Sequence, residues 1–265
     1  MRFQSIASGS NGNCIYIEEG DTRILVDAGI SAKGIREGIL NLGVAPDIIS
    51  GILVTHAHSD HIKGLPVFMK HFHVPLYCTE DTFSGIRSAD PDHAIPEDVI
   101  RVISRDEPFE LNGAKITPIP TCHDTKGSCG YRIDFQRFSV AVLTDLGTYD
   151  ARTVELLQGL NGLLIESNHD VRMLEAGPYP FVLKRRILGD YGHLSNERCA
   201  ELLTKILHKD LKFILLGHIS EENNYPEIAL MTVKNAIDAC SAPFSASDFR
   251  IEAASRYAPS DVFEL

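Results

Sequence analysis

The chain has 265 residues, of which 44% are hydrophobic, and it carries a formal net charge of −11. This length and apolar content allow a sizeable core and exclude general disorder, so we expect one domain over residues 1–265. The acidic charge argues against a wide basic surface that captures nucleic acid without specificity, although a small basic strip beside a site remains compatible with it.

Nine short apolar runs rich in β-branched residues predict strands. In chain order they lie at residues 14–19, 23–29, 51–56, 74–78, 114–120, 129–135, 138–145, 162–167 and 212–218. Helical patterns alternate with them at residues 31–42, 80–87, 149–159, 178–189, 195–208 and 225–240. A further helix is expected to begin in "IKGLPVFMK", residues 62–70. The chain is therefore of the α/β class.

No apolar run approaches the roughly 18 to 20 residues that span a bilayer, and "MRFQSIASGSNGN" lacks the apolar stretch of a secretory signal. We therefore expect a cytoplasmic protein without membrane association, and nothing predicts an obligatory protein partner. The six cysteines form no CxxC pair, so we expect neither a disulfide framework nor a structural zinc knuckle.

Four predicted strands end on a side chain that can bind a metal ion: Asp27, His56, Asp145 and His218. Strand ends that meet at one edge of a sheet are a common way to build a site. We therefore expect these four side chains to lie near one another. We interpret Asp27 as a residue that orients a histidine rather than as a ligand.

The segment "HAHSDH", residues 56–61, follows an apolar strand pattern and holds three histidines and one aspartate. If the strand persists, His56 and His58 project to the same side, while Asp60 and His61 turn into the following helix. A catalytic divalent ion needs three or four nitrogen or oxygen ligands and one open position. The segment alone therefore cannot complete a site.

Three later residues supply the missing ligands: His123 in "PTCHD", Asp145 in "VLTDLG" and His218 in "LLGHIS". Seven ligands shared by two metals, with one bridging carboxylate, would leave room for a bridging hydroxide. "KHFHVP", residues 70–75, repeats the histidine spacing without a neighbouring acid, and His93 and His208 lie in polar segments. We expect none of these other histidines to bind metal.

These residues carry a family resemblance. "THAHSDH", the upstream "DAG" and the three later ligands resemble the metallo-β-lactamase superfamily over nearly the whole chain. Within it, "SGSNGN", "SNHDVRML", "GPYPFVLKRRIL", "GHLSN" and "LLGHISEENN" resemble the bacterial YycJ (WalJ) family of metal-dependent hydrolases, which are regarded as DNA exonucleases. The resemblance implies a four-layer αβ/βα sandwich of two mixed β-sheets flanked by helices, with the site at one edge.

The resemblance also implies two divalent metal ions. The ligands it implies are His56, His58 and His123 for one ion, Asp60, His61 and His218 for the other, and Asp145 as the bridge. Histidine and aspartate ligands suit Zn, Mn, Fe or Co, so the sequence leaves the identity of the metal open.

His193, in "YGHLSN", precedes a helix whose first turn Ser195 or Asn196 could cap. In ribonuclease Z, a relative with the same metal pattern, a histidine in a comparable "GHST" stretch helps to protonate the leaving group, paired with an acidic residue of an "EAT" stretch. The resemblance therefore implies that His193 is a phosphate contact or general acid and that Glu166, in "ESNHD", orients it. A helix-entry hydrogen bond is the structural alternative for His193.

Further residues are expected to contact the substrate. They are Ser8 and Asn11 in the "SGSNGN" loop, Asn168 and His169 beside Glu166, Ser195 and Asn196 after His193, and Lys184 and Arg185. The small residues of the "SGSNGN" loop would let backbone N–H groups approach an anion. A turn between two strands, without a binding role, explains them equally well. Three consecutive basic residues on a helix point in different directions around its axis. A solvent-exposed helix face therefore explains them as well as a substrate contact does. We recognise no aromatic and basic stripe of the kind that binds single strands.

The sequence thus favours a dinuclear metal-dependent phosphodiesterase, specifically a DNA exonuclease in which a metal-bridging hydroxide attacks phosphorus. Asp60 would act as ligand and proton acceptor, and His193 would assist the leaving oxygen. One alternative is a small-molecule phosphodiesterase acting on cyclic nucleotides or phosphonate esters, which suits the acidic charge better. Another is a non-catalytic metal-binding or sensing protein. A lactamase or thioesterase would not need the "GHLSN" element.

Overall fold

The computed structural model describes all residues, 1–265, and contains fourteen strands and nine α-helices. The strands are β1 (Arg2–Ala7), β2 (Cys14–Glu19), β3 (Thr22–Val26), β4 (Gly51–Leu53), β5 (Leu76–Thr79), β6 (Ile100–Ile103), β7 (Phe109–Leu111), β8 (Ala114–Pro120), β9 (Cys129–Asp134), β10 (Ser139–Leu143), β11 (Gly162–Glu166), β12 (Phe213–Gly217), β13 (Arg250–Ala253) and β14 (Phe263–Glu264). The helices are α1 (Ala32–Asn41), α2 (Ser59–Ile62), α3 (Leu65–His71), α4 (Glu80–Ala89), α5 (Ala151–Leu156), α6 (Val171–Ala176), α7 (Phe181–Leu188), α8 (Asn196–Thr204) and α9 (Pro226–Ala239).

The strands form two seven-stranded sheets, with the orders β14-β1-β2-β3-β4-β5-β6 and β13-β12-β11-β10-β9-β8-β7. Each sheet has an antiparallel part and a parallel part, the latter built from β3 to β6 in one sheet and from β10 to β13 in the other. Parallel neighbours need crossover connections, and here these connections carry helices. Both sheets are therefore mixed.

Three apolar clusters show how the layers pack. One lies between the sheets, and the other two join the outer face of each sheet to its helices. Strand β2 shows the alternation that builds them: Ile15 and Ile17 belong to the central cluster, while Cys14 and Tyr16 face the helices. A strand buried on both faces needs apolar residues at successive positions, as in parallel-sheet proteins. The predicted four-layer αβ/βα sandwich is confirmed.

The predicted elements occur, with ends that shift by a few residues. The strand predicted at 51–56 loses half of its length, because β4 ends at Leu53 and residues 54–58 form a loop, and the helix predicted at 195–208 ends four residues early, at Thr204. Strands β1, β6, β7, β13 and β14 and helix α6 were absent from the prediction. Most of these strands are short and lie at or near sheet edges, where polar side chains interrupt the apolar pattern. No helix combines the length and the apolar composition that crossing a membrane requires.

The loop after β3 packs directly against the loop that carries the histidine motif. The Ala28 N–H donates to the His61 carbonyl over 2.9 Å, and the Asn13 N–H donates to the Asp60 carbonyl over 2.8 Å. Gly29 lies so close that a Cβ atom there would stand 1.7 Å from the Asp60 carbonyl oxygen. The missing side chain at Gly29 therefore allows the motif to dock on the end of the first sheet.

We predict that Gly29→Ala destabilises the fold and disturbs the motif, because backbone rather than a flexible side chain occupies the space for the methyl group. The expected loss in free energy of unfolding is about 2 kcal/mol or more, measured by urea denaturation. Gly34→Ala in α1 is the control, since its Cβ would meet only side-chain atoms at 3.3 Å, and it should stay within about 1 kcal/mol of the wild type. Equal stability of the two variants would contradict the packing argument.

Candidate metal centre

The seven residues predicted as metal ligands meet at one edge of the two sheets. The first sheet contributes His56 and His58 from the loop after β4, and Asp60 and His61 from α2. The second sheet contributes His123 after β8, Asp145 after β10 and His218 after β12. Their ligand atoms form overlapping groups within 4.8 Å of one another. The predicted strand geometry is wrong for His56 and His58, which converge through the loop.

Three ring nitrogens form the first group. His56 Nε2 lies 3.1 Å from His58 Nδ1, and His123 Nε2 lies 3.4 Å from the same His58 atom. Tetrahedral ligands about 2.1 Å from a metal ion stand roughly 3.4 Å apart. The spacing of the three nitrogens therefore fits coordination of one divalent ion.

The second group consists of Asp60, His61 and His218. His61 Nε2 lies 3.4 Å from Asp60 Oδ2, and His218 Nε2 lies 3.5 Å from the same oxygen. Asp145 reaches both groups, since its Oδ2 is 3.2 Å from His61 Nε2 and its Oδ1 is 3.6 Å from His123 Nε2. The carboxylate of Asp145 is thus within reach of donor atoms from both groups.

Two atoms of this cluster test whether the residues fit a metal. Asp145 Oδ2 and His218 Nε2 are buried and make no hydrogen bond. Leaving a buried polar atom without a partner costs free energy, and a divalent cation would satisfy both atoms at once. The donor set therefore fits divalent metal ions.

Asp27 and Thr55 orient His61 through contacts on the Nδ1 side of its ring. Asp27 Oδ2 accepts a hydrogen bond from His61 Nδ1 at 2.7 Å, which leaves Nε2 free for the site. Asp27 Oδ1 accepts from the Thr55 backbone N–H at 2.8 Å. Thr55 Oγ1 also lies 3.0 Å from His56 Nδ1. Asp27 lies outside every ligand group and thus occupies a supporting position, which is a common arrangement around metal-binding histidines.

Glu166, at the end of β11, joins the metal cluster to His193. A single oxygen, Oε1, accepts hydrogen bonds of 2.8 Å from both His193 Nδ1 and His218 Nδ1. The other oxygen, Oε2, accepts from the backbone N–H groups of Leu146 and Leu194. Burial raises the pKa of Glu166, but the charge of His193 and the hydrogen bonds from both histidines outweigh it and lower the pKa to about 2. Glu166 is therefore a buried anion that fixes two imidazole rings.

Charge in the cluster shifts several pKa values. Burial opposes protonation of His61, but the charges of Asp27 and Asp145 outweigh it and raise its pKa well above the usual range. Burial likewise opposes protonation of His218, yet Asp145 and the other carboxylates near its ring raise its pKa to about 10. Burial would raise the pKa of Asp60, but the neighbouring His218 and His61 rings, 3.5 and 3.4 Å from Oδ2, hold it below its ordinary value.

A cleft of about 180 Å³ opens beside the metal cluster. Its lining residues are Ser10, His123, Asp124, Asn168, Tyr179, Leu183, Arg186, Ile187, Tyr191, Gly192, His193 and Ser220. Arg186 Nε donates to Asp124 Oδ2 at 2.6 Å, and Asp124 Oδ1 lies 3.6 Å from His58 Nε2. The cleft therefore places one cation and His193 next to the candidate ligands.

The basic run on α7 divides between two surfaces. Arg186 is the cation that lines the cleft, whereas Lys184 and Arg185, which were predicted as substrate contacts, lie outside it. Lys184 Nζ donates to the Glu175 carbonyl, and the guanidinium of Arg185 lies 5.9 Å from the centre of the Phe181 ring. The position of the helix on the protein, which spacing alone does not give, decides which cation faces the site.

Ser8, Ser195 and Asn196, predicted as substrate contacts, are buried and engaged within the protein. Ser8 Oγ accepts from the His218 backbone N–H at 2.9 Å, and Ser195 Oγ caps α8 by accepting from the N–H of Arg198. Asn196 Oδ1 accepts from the Ser167 hydroxyl at 2.6 Å. The polar groups of these three residues thus hold the site, and direct substrate contact at them stays a prediction; Ser195 also lines a cavity that contacts His193.

The other predicted contacts lie closer to open space. Asn11 is exposed, and Asn168 lines the cleft while its Nδ2 donates to the His218 carbonyl. His169 borders a second cavity of about 540 Å³ that also contacts His193. Its Nδ1 lies 3.3 Å from Asn168 Oδ1, and its buried Nε2 has no hydrogen-bond partner.

The remaining histidines lie outside the ligand groups, as expected. His71 and His73 are exposed, His93 stands beside Arg87, and His208 Nε2 donates to the Leu160 carbonyl.

Sequence reasoning missed three supporting residues. Asn13 Nδ2 lies 3.2 Å from His61 Nε2, Thr55 contacts two ring nitrogens, and Asp124 pairs with Arg186. Thr55 and Asp124 each adjoin a predicted ligand in the chain, and Asn13 lies in "SGSNGNC". A polar residue directly beside a ligand is the signal that could have found two of them.

Comparison with known proteins adds an independent line of evidence. A model of the beta-lactamase superfamily domain matches residues 22–219. The chain is 34% identical over 238 residues to exodeoxyribonuclease YycJ of Bacillus anthracis, which covers 90% of this chain and 89% of that protein. It is 35% identical over 237 residues to exodeoxyribonuclease WalJ of Streptococcus pneumoniae serotype 2, strain D39, with 89% and 88% covered.

A solved structure agrees with the fold. The metallo-beta-lactamase fold protein YhfI of Bacillus subtilis superimposes with a TM-score of 0.71 and 15% identity, covering 99% of both chains. At this identity the likeness concerns the fold alone. The relatives of higher identity confirm the prediction of a metal-dependent hydrolase of the nuclease or phosphodiesterase class. The chain belongs to the metallo-β-lactamase superfamily and, within it, to the YycJ (WalJ) family.

Proposed function

We propose that the protein is a dinuclear metal-dependent phosphodiesterase that acts on DNA as an exonuclease. The single observation that carries this proposal is the pairing of His193 with Glu166 beside a complete set of seven ligand side chains. The relatives named exodeoxyribonuclease, at about one third identity over most of the chain, support DNA as the substrate.

The proposed ligand assignment follows the two groups of donor atoms. One ion would be held by His56, His58 and His123, the other by Asp60, His61 and His218, with Asp145 shared by both. When bound, such ions supply an activated water and offset the negative charge that develops on a phosphoryl group. Zinc, manganese and iron are all compatible with these nitrogen and oxygen donors.

The contact of His193 with Glu166 and its raised pKa support a role as general acid. Its Nδ1 donates to Glu166, so Nε2 is the nitrogen left to carry a proton to a leaving oxygen. Burial lowers the pKa of His193, but the charge of Glu166 and the hydrogen bond to it outweigh burial and raise the pKa above its ordinary value. His193 therefore holds a proton to higher pH than a free histidine and can deliver it to a poor leaving group.

The Asp60 side chain is partly exposed, at 19%, and among the proposed ligands only the side chain of His58, at 38%, is more exposed. The nearby His218 and His61 rings keep the pKa of Asp60 below its ordinary value, so its carboxylate is ionised, as a proton acceptor requires. In the proposed reaction Asp60 orients the attacking water and accepts its proton, while Arg186 at the cleft wall holds a phosphate oxygen.

We predict that Asp145→Asn lowers both metal content and turnover, because the neutral amide cannot satisfy two cations. Hydrolysis of labelled DNA should fall by more than about 100-fold, since several kcal/mol of charge stabilisation depend on the ions. Metal content is measured by elemental analysis of protein purified without chelator. His71→Ala, an exposed histidine outside the cluster, is the control and should match the wild type. Wild-type activity of Asp145→Asn would refute the assignment.

We predict that metal loading releases protons. At neutral pH His61 and His218 are protonated in the metal-free protein because their pKa values are raised, whereas metal ligands must be neutral. Adding Zn²⁺ to chelator-stripped protein near pH 7 should therefore release about two protons per protein, measured with a pH indicator in weak buffer. Apparent metal affinity should rise with pH until it passes these raised pKa values. Loading without proton release would contradict the charge states.

We predict that His193→Ala separates substrates by their leaving groups. Hydrolysis of DNA should fall by about 10² to 10⁴-fold, because an alkoxide needs a proton. Hydrolysis of bis-p-nitrophenyl phosphate should fall far less, because p-nitrophenolate leaves without one. In the wild type, DNA turnover should decline as pH rises through the raised pKa of His193, and this decline should be absent from the variant. An equal loss for both substrates would indicate a structural role instead.

Cyclic nucleotides, assayed in parallel, test the small-molecule alternative. If the wild type hydrolyses them efficiently and leaves DNA intact, the DNA proposal is wrong while the phosphodiesterase class stands.

A further inference from the structure

Exposed apolar side chains cluster on one short segment of the surface. Eleven large apolar side chains of the whole chain are exposed, and four of them lie between residues 181 and 191. Phe181 is 72% exposed, Val182 80% and Tyr191 66%, and α7 itself buries no residue. Single exposed apolar residues are ordinary, but a cluster of them marks a binding surface.

The same segment is locally basic on an acidic protein. Residues 171–193 contain four basic side chains against two acidic ones, whereas the whole chain has a net charge of −11. The Arg185 guanidinium lies 5.9 Å from the centre of the Phe181 ring, so cation and aromatic face are already combined. Aromatic rings interleaved with cations are the usual features of a surface that binds single-stranded nucleic acid.

This surface is continuous with the candidate metal centre. The inner side of α7 supplies Leu183, Arg186 and Ile187 to the cleft that also contains His123 and His193. Tyr191 belongs to both, since it lines the cleft and is largely exposed. A strand that lay along the outside of α7 would therefore lead directly to the ligand groups.

We propose, building on the proposed function, that the outer surface of α7 together with Tyr191 is a platform for single-stranded nucleic acid. This α7 platform consists of Phe181, Val182, Lys184, Arg185 and Tyr191. Bases stack on Phe181 and Tyr191, and Arg185 and Lys184 contact the phosphates. The sequence-based expectation that the chain has no aromatic and basic stripe differs from this proposal, and the binding experiment decides between the two.

A nucleic acid strand fits this surface better than a second protein chain does. Lysine is depleted in the cores of protein interfaces, while here Lys184 lies among the apolar residues. The charge is complementary to a polyanion, and the platform ends at a site proposed to cleave phosphodiesters. A second copy of the chain is the competing occupant, and the experiment includes it.

The test compares Phe181→Ala, Tyr191→Ala and Arg185→Ala with the metal-loaded wild type. Binding is measured by fluorescence anisotropy with a short labelled phosphorothioate oligothymidylate, and turnover with bis-p-nitrophenyl phosphate. Each aromatic variant should weaken oligonucleotide binding about tenfold, as expected for loss of one stacked base. Arg185→Ala should reduce the slope of log affinity against log salt by about 0.7. Turnover of the small substrate by Phe181→Ala and Arg185→Ala should stay within about twofold of the wild type, because neither residue lines the cleft beside the candidate ligands.

Two variants serve as matched controls. Arg137 stands 5.3 Å from the Phe138 ring in the turn between β9 and β10, so Arg137→Ala removes a similar pair far from the metal edge. Met231→Ala removes an exposed apolar side chain from α9. Both should bind the oligonucleotide like the wild type. Wild-type affinity of all three platform variants would overturn the proposal, as would an equal loss in the controls.

The outcomes also separate this proposal from the proposed function. If the wild type fails to hydrolyse DNA but the platform variants still lose binding, the platform stands and the exonuclease proposal fails. If hydrolysis is normal and the variants bind normally, the platform fails alone. Sedimentation of the wild type and Phe181→Ala identifies the competing occupant: a dimer that dissociates on substitution, with unchanged DNA affinity, would overturn the platform.

Discussion

A left-handed turn at the end of three strands is the constraint on which the site depends. Asp27, Asp145 and His218 follow β3, β10 and β12 with φ values of 63°, 56° and 51°. Non-glycine residues adopt this conformation at a cost of about 1 to 3 kcal/mol each. The strain is offset by local bonds, such as the donation from the His218 N–H to Ser8 Oγ. Each turn diverts the chain at the sheet edge, which is how two separate sheets direct their polar residues to one place.

Much of the site could be predicted because its ligands are local signals. His56 to His61 lie within six positions, and His123, Asp145 and His218 each follow an apolar run that ends abruptly. The contribution of Arg186 could not be predicted, because the rotation of α7 against the cleft depends on tertiary packing. The supporting contacts of Ser8 and Asn196 could not be predicted for a similar reason, since a polar residue in a glycine-rich or capping stretch gives no sign of whether it faces solvent or supports a ligand.

For the fold, periodicity identified the buried strands and the amphipathic helices but not the sheet margins. Strands such as β13 and β14 are short and polar, and they exist because a neighbouring strand already offers hydrogen bonds. Their formation is therefore a property of the assembled sheet. Strand β4 is short for another reason. The chain must leave the sheet at Leu53 so that the following loop can bring His56 and His58 together.

The ligand groups draw on both halves of the sandwich, and this has a mechanical consequence. His56, Asp60 and His61 belong to the first sheet, whereas Asp145 and His218 belong to the second. An ion held by residues from both sheets would link the two sheets at the edge where the apolar interior is open. Resistance to unfolding would then vary with free metal concentration, since a ligand that binds only the folded state stabilises it by mass action. Metal supply in the cell would thus influence the lifetime of the folded protein as well as its chemistry.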